Sequence, residues 1–508
     1  MKDNFSLSQQ RILLFSIFVL SLCGITYELV LGSLATYLLG NPVQQYSITI
    51  GVFLSSMGLG SWLSRYVLKN ILRNFIWIEV TLGLVGGVSV IILNYLFSFS
   101  PSFYLLHVFL LSFIGMLVGL EIPLLTRILR GYGSLKDVLS NVLTLDYMGG
   151  LAGSLLFPLV LFPFLGRIMT SLVIGIANAA VAVIIVTRIK YSGKRRIDYI
   201  YPLVVVGILT VLVLQSGVVT DILEKRLYYD DIVFSRRSTY QEIVLTRNGD
   251  DFRLYLDGSL QFSTYDEYRY HEMLVYPPLA FNGKGDKQVL VMGGGDGLAL
   301  RELVKQDDVR SVTLVELDPM MLDLARNNSS LKRINGNSLV HPKVNVVAGD
   351  AYDFLVKSGR TFDIIIADFP DPHDETISKL YTVQFFKLVK RSMAPGAIFV
   401  SQSTSPLFAR EAFWCIHNTM KKVFPHVVPY HVFVPTFGDW GYNMASFSEI
   451  KPKDADVSRQ GLRFFTRETF VQSQHFPPDC GEISTEINTF NRPVLYTYYI
   501  KGWKNVDY

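Results

Sequence analysis

Four carboxylate side chains each follow a hydrophobic run in the second half of the chain. The runs read as buried strands, and the acids at their ends are Asp296, Glu316, Asp350 and Asp368. Open α/β sheets place their ligands beyond the carboxyl ends of parallel strands, so we expect these acids to share one edge of a sheet. Such a group of acids is suited to a polar small molecule that carries positive charge.

The stretch VLVMGGGDGLAL, residues 289–300, reads as a strand that enters a glycine-rich turn and then a helix. Gly293 and Gly295 would let the backbone approach a ligand closely. Glu316 at the next strand end is placed to accept hydrogen bonds from two ribose hydroxyls, and Asp350 would face an adenine amine. No Walker lysine or arginine cluster follows, so the sequence predicts an adenosine-like nucleoside whose appendage is not phosphate.

Asp296 lies inside this loop and restricts that appendage. S-adenosylmethionine carries an ammonium and a carboxylate, and a buried aspartate would attract the first and repel the second. Removal of the carboxylate leaves a propylammonium and ends the repulsion. We therefore expect decarboxylated S-adenosylmethionine as a co-substrate, with no separate cofactor and no metal.

The stretch IIIADFPDP adds Asp368 and Asp371 near the reacting carbon. Several carboxylates around one site are suited to a polycationic acceptor such as a diamine. The attacking amine must lose a proton, which a nearby carboxylate can accept. The residues thus predict transfer of an aminopropyl group to an amine.

From about residue 232 to 447 the chain resembles the polyamine aminopropyltransferases, the spermidine synthase family, and the whole chain resembles its long, membrane-anchored branch. The matching segments are YQEIVLTR, LYLDGSLQFSTYDEYRYHEML, VLVMGGGDG, VELDP, GDAYDF, DIIIADFPDP, LYTVQFF and VPTFGDWGYNMAS. The resemblance implies transfer to putrescine, which gives spermidine and methylthioadenosine.

The resemblance also implies roles for individual residues. Gln241, Glu316 and the Asp350–Ala351 pair would contact the thioadenosine, and Asp368 would accept the proton. The aminopropyl and amine site would be lined by His271, Asp296 and Asp371. Trp440 and Tyr442 are either walls of the acceptor channel or core aromatics.

The segment after the catalytic aspartate departs from the family pattern. Phe369 and Pro370 stand where soluble members carry a hydroxyl residue and its neighbour, and HDETISK replaces a Gly-Pro-Gly-Glu-Ser type of loop. The choice of amine and the way this loop positions the nucleoside stay open.

The elements that must position these residues follow from the hydrophobic pattern. After residue 283 strands alternate with helices, which predicts a Rossmann-like α/β domain of the methyltransferase type. Residues 239–282 read as a small β-hairpin domain followed by a helix that ends near Pro277–Pro278. The domain boundaries we expect are 1–217 for membrane helices, 218–238 for a linker, 239–282, 283–450 for the catalytic domain, and 451–508 for a C-terminal extension.

The first half predicts a polytopic helical membrane domain. About seven apolar segments reach the roughly 20 residues that a bilayer core requires, at 12–37, 46–66, 75–97, 103–125, 143–165, 168–188 and 199–217. Small residues in GLGSW and MGGLAGS would permit close helix packing. The acids in these segments either pair locally or serve ligand passage or binding; they are Glu28, Glu79, Glu121 and Asp146.

We expect the protein in the cell membrane with its catalytic domain in the cytoplasm, although seven spans and the positive-inside rule argue for the other side. The formal charge of +4 indicates no nucleic-acid partner, and the three separated cysteines predict no disulfide framework. A homo-oligomer through the catalytic domain stays open. Alternative interpretations are an S-adenosylmethionine-dependent methyltransferase and a non-catalytic, polyamine-sensing membrane carrier.

Overall fold

The computed structural model describes residues 5–39, 42–97, 103–130, 134–191, 194–217, 230–283, 285–451 and 461–504, with residues 132, 228 and 459. The chain divides into two units, Met1–Asp230 and Asp231–Tyr508. Most of the expected linker, residues 218–227 and 229, lies outside the described residues, as do parts of the C-terminal extension.

The first unit is helical. Its long helices are α1 (Leu7–Leu39), α2 (Pro42–Leu63), α3 (Ile71–Phe97), α4 (Phe103–Leu129), α5 (Leu135–Leu156), α6 (Phe162–Arg188) and α7 (Ile197–Leu214). By length and composition, six helical segments among the described residues are able to cross a membrane, and one of them is the 54-residue segment Leu135–Arg188.

That long segment is a helical hairpin. On α5, Gly149 lies against Phe18 of α1 and Gly153 lies against Leu22, so α5 runs parallel to α1. On α6, the backbone carbonyl of Arg188 accepts a hydrogen bond from the Gln9 side chain of α1, and the carbonyl of Ile174 accepts one from the Cys23 thiol. The helix α6 is therefore antiparallel to α1. The chain reverses near Gly166, whose φ of 68° falls in the left-handed region.

Glycines in the two small-residue motifs allow the helices to touch. A Cβ on Gly60 of α2 would lie 2.0 Å from the carbonyl oxygen of Met116 on α4. A Cβ on Gly149 of α5 would lie 2.2 Å from the carbonyl oxygen of Phe18 on α1. Backbones at this distance leave no room for a side chain, as in other close helix contacts of the small-residue type.

The second unit begins with an antiparallel sheet in the order β1-β2-β3-β4, formed by β1 (Asp231–Arg237), β2 (Glu242–Asn248), β3 (Asp251–Leu256) and β4 (Ser259–Ser263). The hairpins expected from the turn residues are present, and Asp257 and Gly258 both adopt positive φ in the β3–β4 turn. Residues 231–237, which we expected in the linker, instead form β1, because they pair with β2.

The main sheet has the order β10-β11-β9-β8-β5-β6-β7. Its parallel strands are β5 (Lys287–Gly293), β6 (Val309–Glu316), β7 (Val344–Ala348), β8 (Phe362–Asp368) and β9 (Met393–Gln402), and β10 (His426–Val434) and β11 (Gly438–Ser446) complete an antiparallel edge. Buried side chains alternate between the two faces, as Val289 and Leu290 do on β5. The predicted α/β fold is confirmed.

Helices cover both faces of this sheet and connect its strands. They are α8 (Glu267–Phe281), α9 (Leu298–Val304), α10 (Pro319–Asn327), α11 (Ser329–Ile334), α12 (Ala351–Lys357), α13 (Glu375–Ser378), α14 (Val383–Arg391), α15 (Arg410–Lys421), α16 (Arg467–Gln472) and α17 (Val494–Trp503).

One prediction about these helices was wrong. We expected α8 to end near Pro277–Pro278, but it continues to Phe281. A proline at 277 cannot donate to the carbonyl of Met273. That carbonyl accepts a hydrogen bond from the Tyr430 hydroxyl on β10, at 2.9 Å, so the tertiary contact satisfies the group that the proline leaves free.

Candidate active site

The glycine-rich loop after β5 lies against both neighbouring strands. A Cβ on Gly294 would lie 2.8 Å from a carboxylate oxygen of Asp368, and one on Gly295 would lie 2.8 Å from a carboxylate oxygen of Glu316. Glycine is therefore required here for close approach, and at Gly294 also for a φ of 68°. The strand order places this loop where β5 meets β8 on one side and β6 on the other, at the topological switch point.

His271 on α8 is held by an ion-pair relay. Its Nδ1 lies 2.8 Å from Glu267 Oε2, and Arg301 on α9 donates to both Glu267 oxygens at 2.8 and 3.0 Å. Burial alone would lower the pKa of His271, but Glu267, with contributions from Asp296 and Asp368, raises it to about 9. His271 is therefore a buried cation at neutral pH.

Asp296 is half-buried just before α9, where its Oδ1 accepts the backbone N–H of Leu298 at 2.8 Å. Burial raises the pKa of its carboxyl group, and the His271 cation and this hydrogen bond oppose the rise. The glycine loop, α8 and β8 thus bring Asp296, His271 and Asp368 close enough together to interact electrostatically.

Asp368 ends β8 and accepts a hydrogen bond at Oδ1 from the Tyr270 hydroxyl, at 2.5 Å. Burial and the charge of Asp296 raise the pKa of Asp368 to about 6, against the effects of His271 and Tyr270. The carboxylate is ionised at neutral pH but close to the pH at which it accepts a proton. A pKa near the working pH is suited to a general base.

Asp371 lies three residues further on and has a different set of partners. Its Oδ2 accepts a hydrogen bond from Thr404 Oγ1 at 3.0 Å and its Oδ1 one from Gln402 Nε2 at 3.3 Å. The hydroxyl of Tyr499 on α17 also interacts with this carboxylate. Burial raises the pKa of Asp371 to about 6, and these hydroxyl and amide donors oppose the rise.

The nucleoside side of the predicted site is built around the end of β6. Glu316 accepts the backbone N–H of Gly295 at 3.1 Å and that of Asp318 at 2.9 Å, and burial raises its pKa to about 7. Gln241 joins this group through its amide, which donates to Asp318 Oδ2 at 3.0 Å. The hairpin turn before β2 therefore lies beside the glycine loop, as the site requires.

Asp350 and Ala351 lie at the end of β7, beside β6. Gly349 donates its backbone N–H to the carbonyl of Glu316 at 2.8 Å, which brings the next residue close to the nucleoside side. Asp350 caps α12 by accepting the N–H of Tyr352 at 2.7 Å, and its other oxygen lies 3.1 Å from Lys379 Nζ. The carboxylate thus has structural partners, besides the adenine contact expected from the sequence.

Lys379 belongs to the segment that departs from the family pattern. Asp374 caps the short helix α13 through the N–H of Ile377, and Phe369 is buried between Tyr381 and Phe385. Where the family pattern has a hydroxyl residue, this chain therefore places a core aromatic. Tyr442 is also a core residue: it is fully buried, stacks on Tyr430 and donates to the carbonyl of Tyr270.

Sequence reasoning missed several residues that hold the site. Tyr270 bonds Asp368, and Glu267 bonds His271 and is itself held by Arg301. Asp318 accepts from Gln241, and Asp371 interacts with Thr404, Gln402 and Tyr499. Tyr270 adjoins His271 within a matching segment, so that signal was present. Thr404 has a φ of 59° while fully buried, a strained conformation typical of functional sites. Tyr499 comes from the C-terminal extension and had no signal.

The described residues contain no group of three or more His, Cys, Asp or Glu side chains that could hold a metal ion. What they bring together is a set of buried and half-buried carboxylates with one imidazolium. Such a site can bind a cation, orient an amine and accept a proton from it.

Relatives agree with this chemistry. The family model for the spermine/spermidine synthase domain matches residues 267–457. A polyamine aminopropyltransferase from Leptospira interrogans is 42% identical over 98% of this chain and 99% of its own. The chain belongs to the polyamine aminopropyltransferase family. Its membership confirms the resemblance seen in the sequence and the prediction of a spermidine synthase-like enzyme.

Other relatives extend the match. Polyamine aminopropyltransferase 2 of Ralstonia nicotianae is 41% identical over 97% of this chain and 98% of its own length. A crystal structure of spermidine synthase in complex with the transition-state analogue AdoDATO is 29% identical, covers 49% of this chain and 86% of that one, and has a TM-score of 0.46. The two full-length relatives match the helical first unit as well as the catalytic one.

Proposed function

We propose that the protein transfers the aminopropyl group of decarboxylated S-adenosylmethionine to putrescine, which gives spermidine and methylthioadenosine. The observation that carries this proposal is a group of three half-buried carboxylates: Asp296 in the glycine loop, Asp368 at the end of β8 and Asp371 three residues further on. A cationic donor and a cationic acceptor both suit such a group, whereas a carboxylated donor does not.

The donor would bind across the strand ends. Glu316 keeps lone pairs for the ribose hydroxyls while two backbone N–H groups fix its orientation. Gln241 and the Asp350–Ala351 pair would contact the thioadenosine. The propylammonium would lie beside Asp296, where a carboxylate on the donor would meet a like charge at low dielectric.

The chemical step is a direct displacement. An acceptor ammonium gives a proton to Asp368, and the neutral amine attacks the methylene carbon bonded to the sulfonium. A C–N bond forms, the C–S bond breaks, and its electron pair stays on sulfur as the neutral thioether of methylthioadenosine. Tyr270 would hold Asp368 in position, and Asp371 and His271 would line the amine and aminopropyl site.

The test is a donor-by-acceptor assay on the purified full-length protein. We expect methylthioadenosine from the decarboxylated donor plus putrescine, and little from the carboxylated donor. Formation of S-adenosylhomocysteine instead would establish the methyltransferase interpretation. A preference for a longer amine would overturn putrescine as the acceptor while leaving aminopropyl transfer in place.

We propose further that the first unit anchors the protein in the cell membrane and that the catalytic unit works in the cytoplasm, where the donor is made. Against this placement, α7 runs parallel to α3, since Asp198 bonds Arg73 and Leu209 contacts Gly87, which favours seven crossings. With the basic connections near 65–73, 127–136 and 188–196 inside, seven crossings would carry the chain outside.

Cysteine labelling in intact cells decides the side. The Lys357 side chain is 73% exposed at the end of α12, so Lys357→Cys offers a reactive thiol, whereas Cys23, Cys415 and Cys480 are buried. Protection from a membrane-impermeant reagent until the cells are lysed is expected. Labelling of intact cells would place the catalytic unit outside.

A further inference from the structure

Two glutamates are buried in the interior of the helical unit. Glu79 of α3 is 0% exposed and Glu121 of α4 is 4% exposed. Asn178 of α6 donates to Glu79 Oε2 at 3.0 Å and to its carbonyl at 2.9 Å. The other oxygen of Glu79 and the Oε1 of Glu121 receive no hydrogen bond from the described residues, and the two carboxylates are close enough to repel each other when both are charged.

Two neutral groups nearby also lack partners. The Tyr27 hydroxyl of α1 and the Asn178 amide oxygen are buried without a hydrogen bond from the described part of the chain. The Tyr27 ring lies against α3, where a Cβ on Gly86 would be 2.5 Å from it, and Tyr27 interacts electrostatically with both glutamates. Oxygen atoms on four helices therefore lack hydrogen-bond partners among the described residues in this interior region.

Buried polar atoms without partners are costly, and charged ones more so. The carboxylate and amide oxygens only accept hydrogen bonds, so three of the four groups need donors, and the Tyr27 hydroxyl is the one potential donor among them. The described residues contain no group of three or more acidic, histidine or cysteine side chains that could hold a metal ion, so the side chains here do not favour a metal as the ligand. A primary ammonium instead offers three N–H donors and a positive charge on one atom.

We propose that the helical bundle holds a second amine-binding site, in which a primary ammonium of a polyamine binds between Glu79 and Glu121, with Tyr27 and Asn178 as further partners. Asp146 of α5 interacts electrostatically with Glu121 and extends the acidic lining, so a diamine has another anion to approach. The choice of a polyamine rests on the proposed function of the catalytic unit.

The test counts bound amine. Equilibrium dialysis of the full-length protein in detergent with radiolabelled putrescine should give one more equivalent per chain for the wild type than for a Glu79→Gln, Glu121→Gln double variant. The double variant should still form methylthioadenosine, which shows that it is folded. Glu28→Gln is the matched control, because Glu28 is also buried in α1 but has no unpartnered buried oxygen.

An active double variant that binds as many equivalents as the wild type would overturn the proposal and leave a proton shared by the two glutamates. If the double variant does not fold, Glu121→Gln alone serves, since its Oε1 has no described hydrogen bond to lose, and the extra site should weaken at least about tenfold. An unchanged affinity of Glu121→Gln for putrescine at this site would also overturn the proposal. Failure of the proposed function would appear separately, as a wild type that binds the amine but forms no methylthioadenosine.

Discussion

The two units bury carboxylates in opposite ways. In the catalytic unit each buried or half-buried acid of the site has defined donors: Tyr270 for Asp368, Thr404 and Gln402 for Asp371, and backbone N–H groups for Asp296 and Glu316. In the helical unit Glu79 and Glu121 each keep an oxygen without a partner among the described residues. Carboxylates thus have hydrogen-bond donors in the catalytic unit, whereas two carboxylates of the helical unit each have an oxygen without one.

The difference indicates that the carboxylates of the two units have different functions. Donors that bind the charged form help to keep a half-buried carboxylate ionised near neutral pH, and Asp368 and Asp371 have a pKa of about 6. Such groups are ready to orient an amine and take its proton. A buried oxygen without a donor needs something from outside the protein, either a proton or a cation, and this need makes the bundle a candidate binding region.

The largest effect we expect is from Asp368→Asn, which keeps the shape of the side chain and removes the proton acceptor. Turnover should fall by about a hundredfold or more, measured as methylthioadenosine release, while donor binding by dialysis changes little. Asp353→Asn on the exposed face of α12 is the control. Near-normal turnover would mean that Asp371 or water accepts the proton. It would also remove the main difference in function between the site carboxylates and those of the bundle.

Tyr270→Phe should give the next largest effect, a loss of about tenfold in kcat/KM at neutral pH. The hydroxyl stabilises the charged carboxylate, so its removal raises the pKa of Asp368 above about 6. Activity needs the ionised form, and the acidic limb of the pH profile should therefore move to higher pH. Tyr276→Phe, which removes a buried hydroxyl that bonds Glu302 and not Asp368, is the control. An unshifted limb for Tyr270→Phe would exclude this positioning role.

Asp296→Asn should change specificity more than rate. The amide still accepts from the Leu298 N–H, but the charge that repels a carboxylated donor is gone. The preference for decarboxylated over carboxylated donor, as a ratio of kcat/KM values, should narrow about tenfold. If the ratio does not change, Asp296 caps α9 and does not select the donor.

The smallest effect should come from the bundle. Glu79→Gln and Glu121→Gln should leave turnover of the detergent-solubilised enzyme within about twofold of wild type, since remote substitutions rarely interact with a site they do not contact. Steady-state assays with saturating donor and putrescine measure this. A large loss of turnover would mean that the two sets of acids work as one system.

The sequence was sufficient for the side chains that follow strands. Parallel strands end at one edge, so Asp296, Glu316, Asp350 and Asp368 could be placed together from the order of the hydrophobic runs alone. The same reasoning failed at β1, where a polar segment pairs with β2, because strand pairing depends on a partner as well as on local composition.

What the sequence alone determined is thus the apolar helices, the α/β fold, the family and the acids at the glycine loop, all of which depend on local periodicity and short motifs. Only the tertiary structure decided which donors hold those acids, that Tyr430 lets α8 pass Pro277–Pro278, that Tyr499 reaches Asp371, and that Glu79 and Glu121 interact electrostatically. These contacts join residues far apart in the chain. Their distances are fixed by packing, and no local pattern records them.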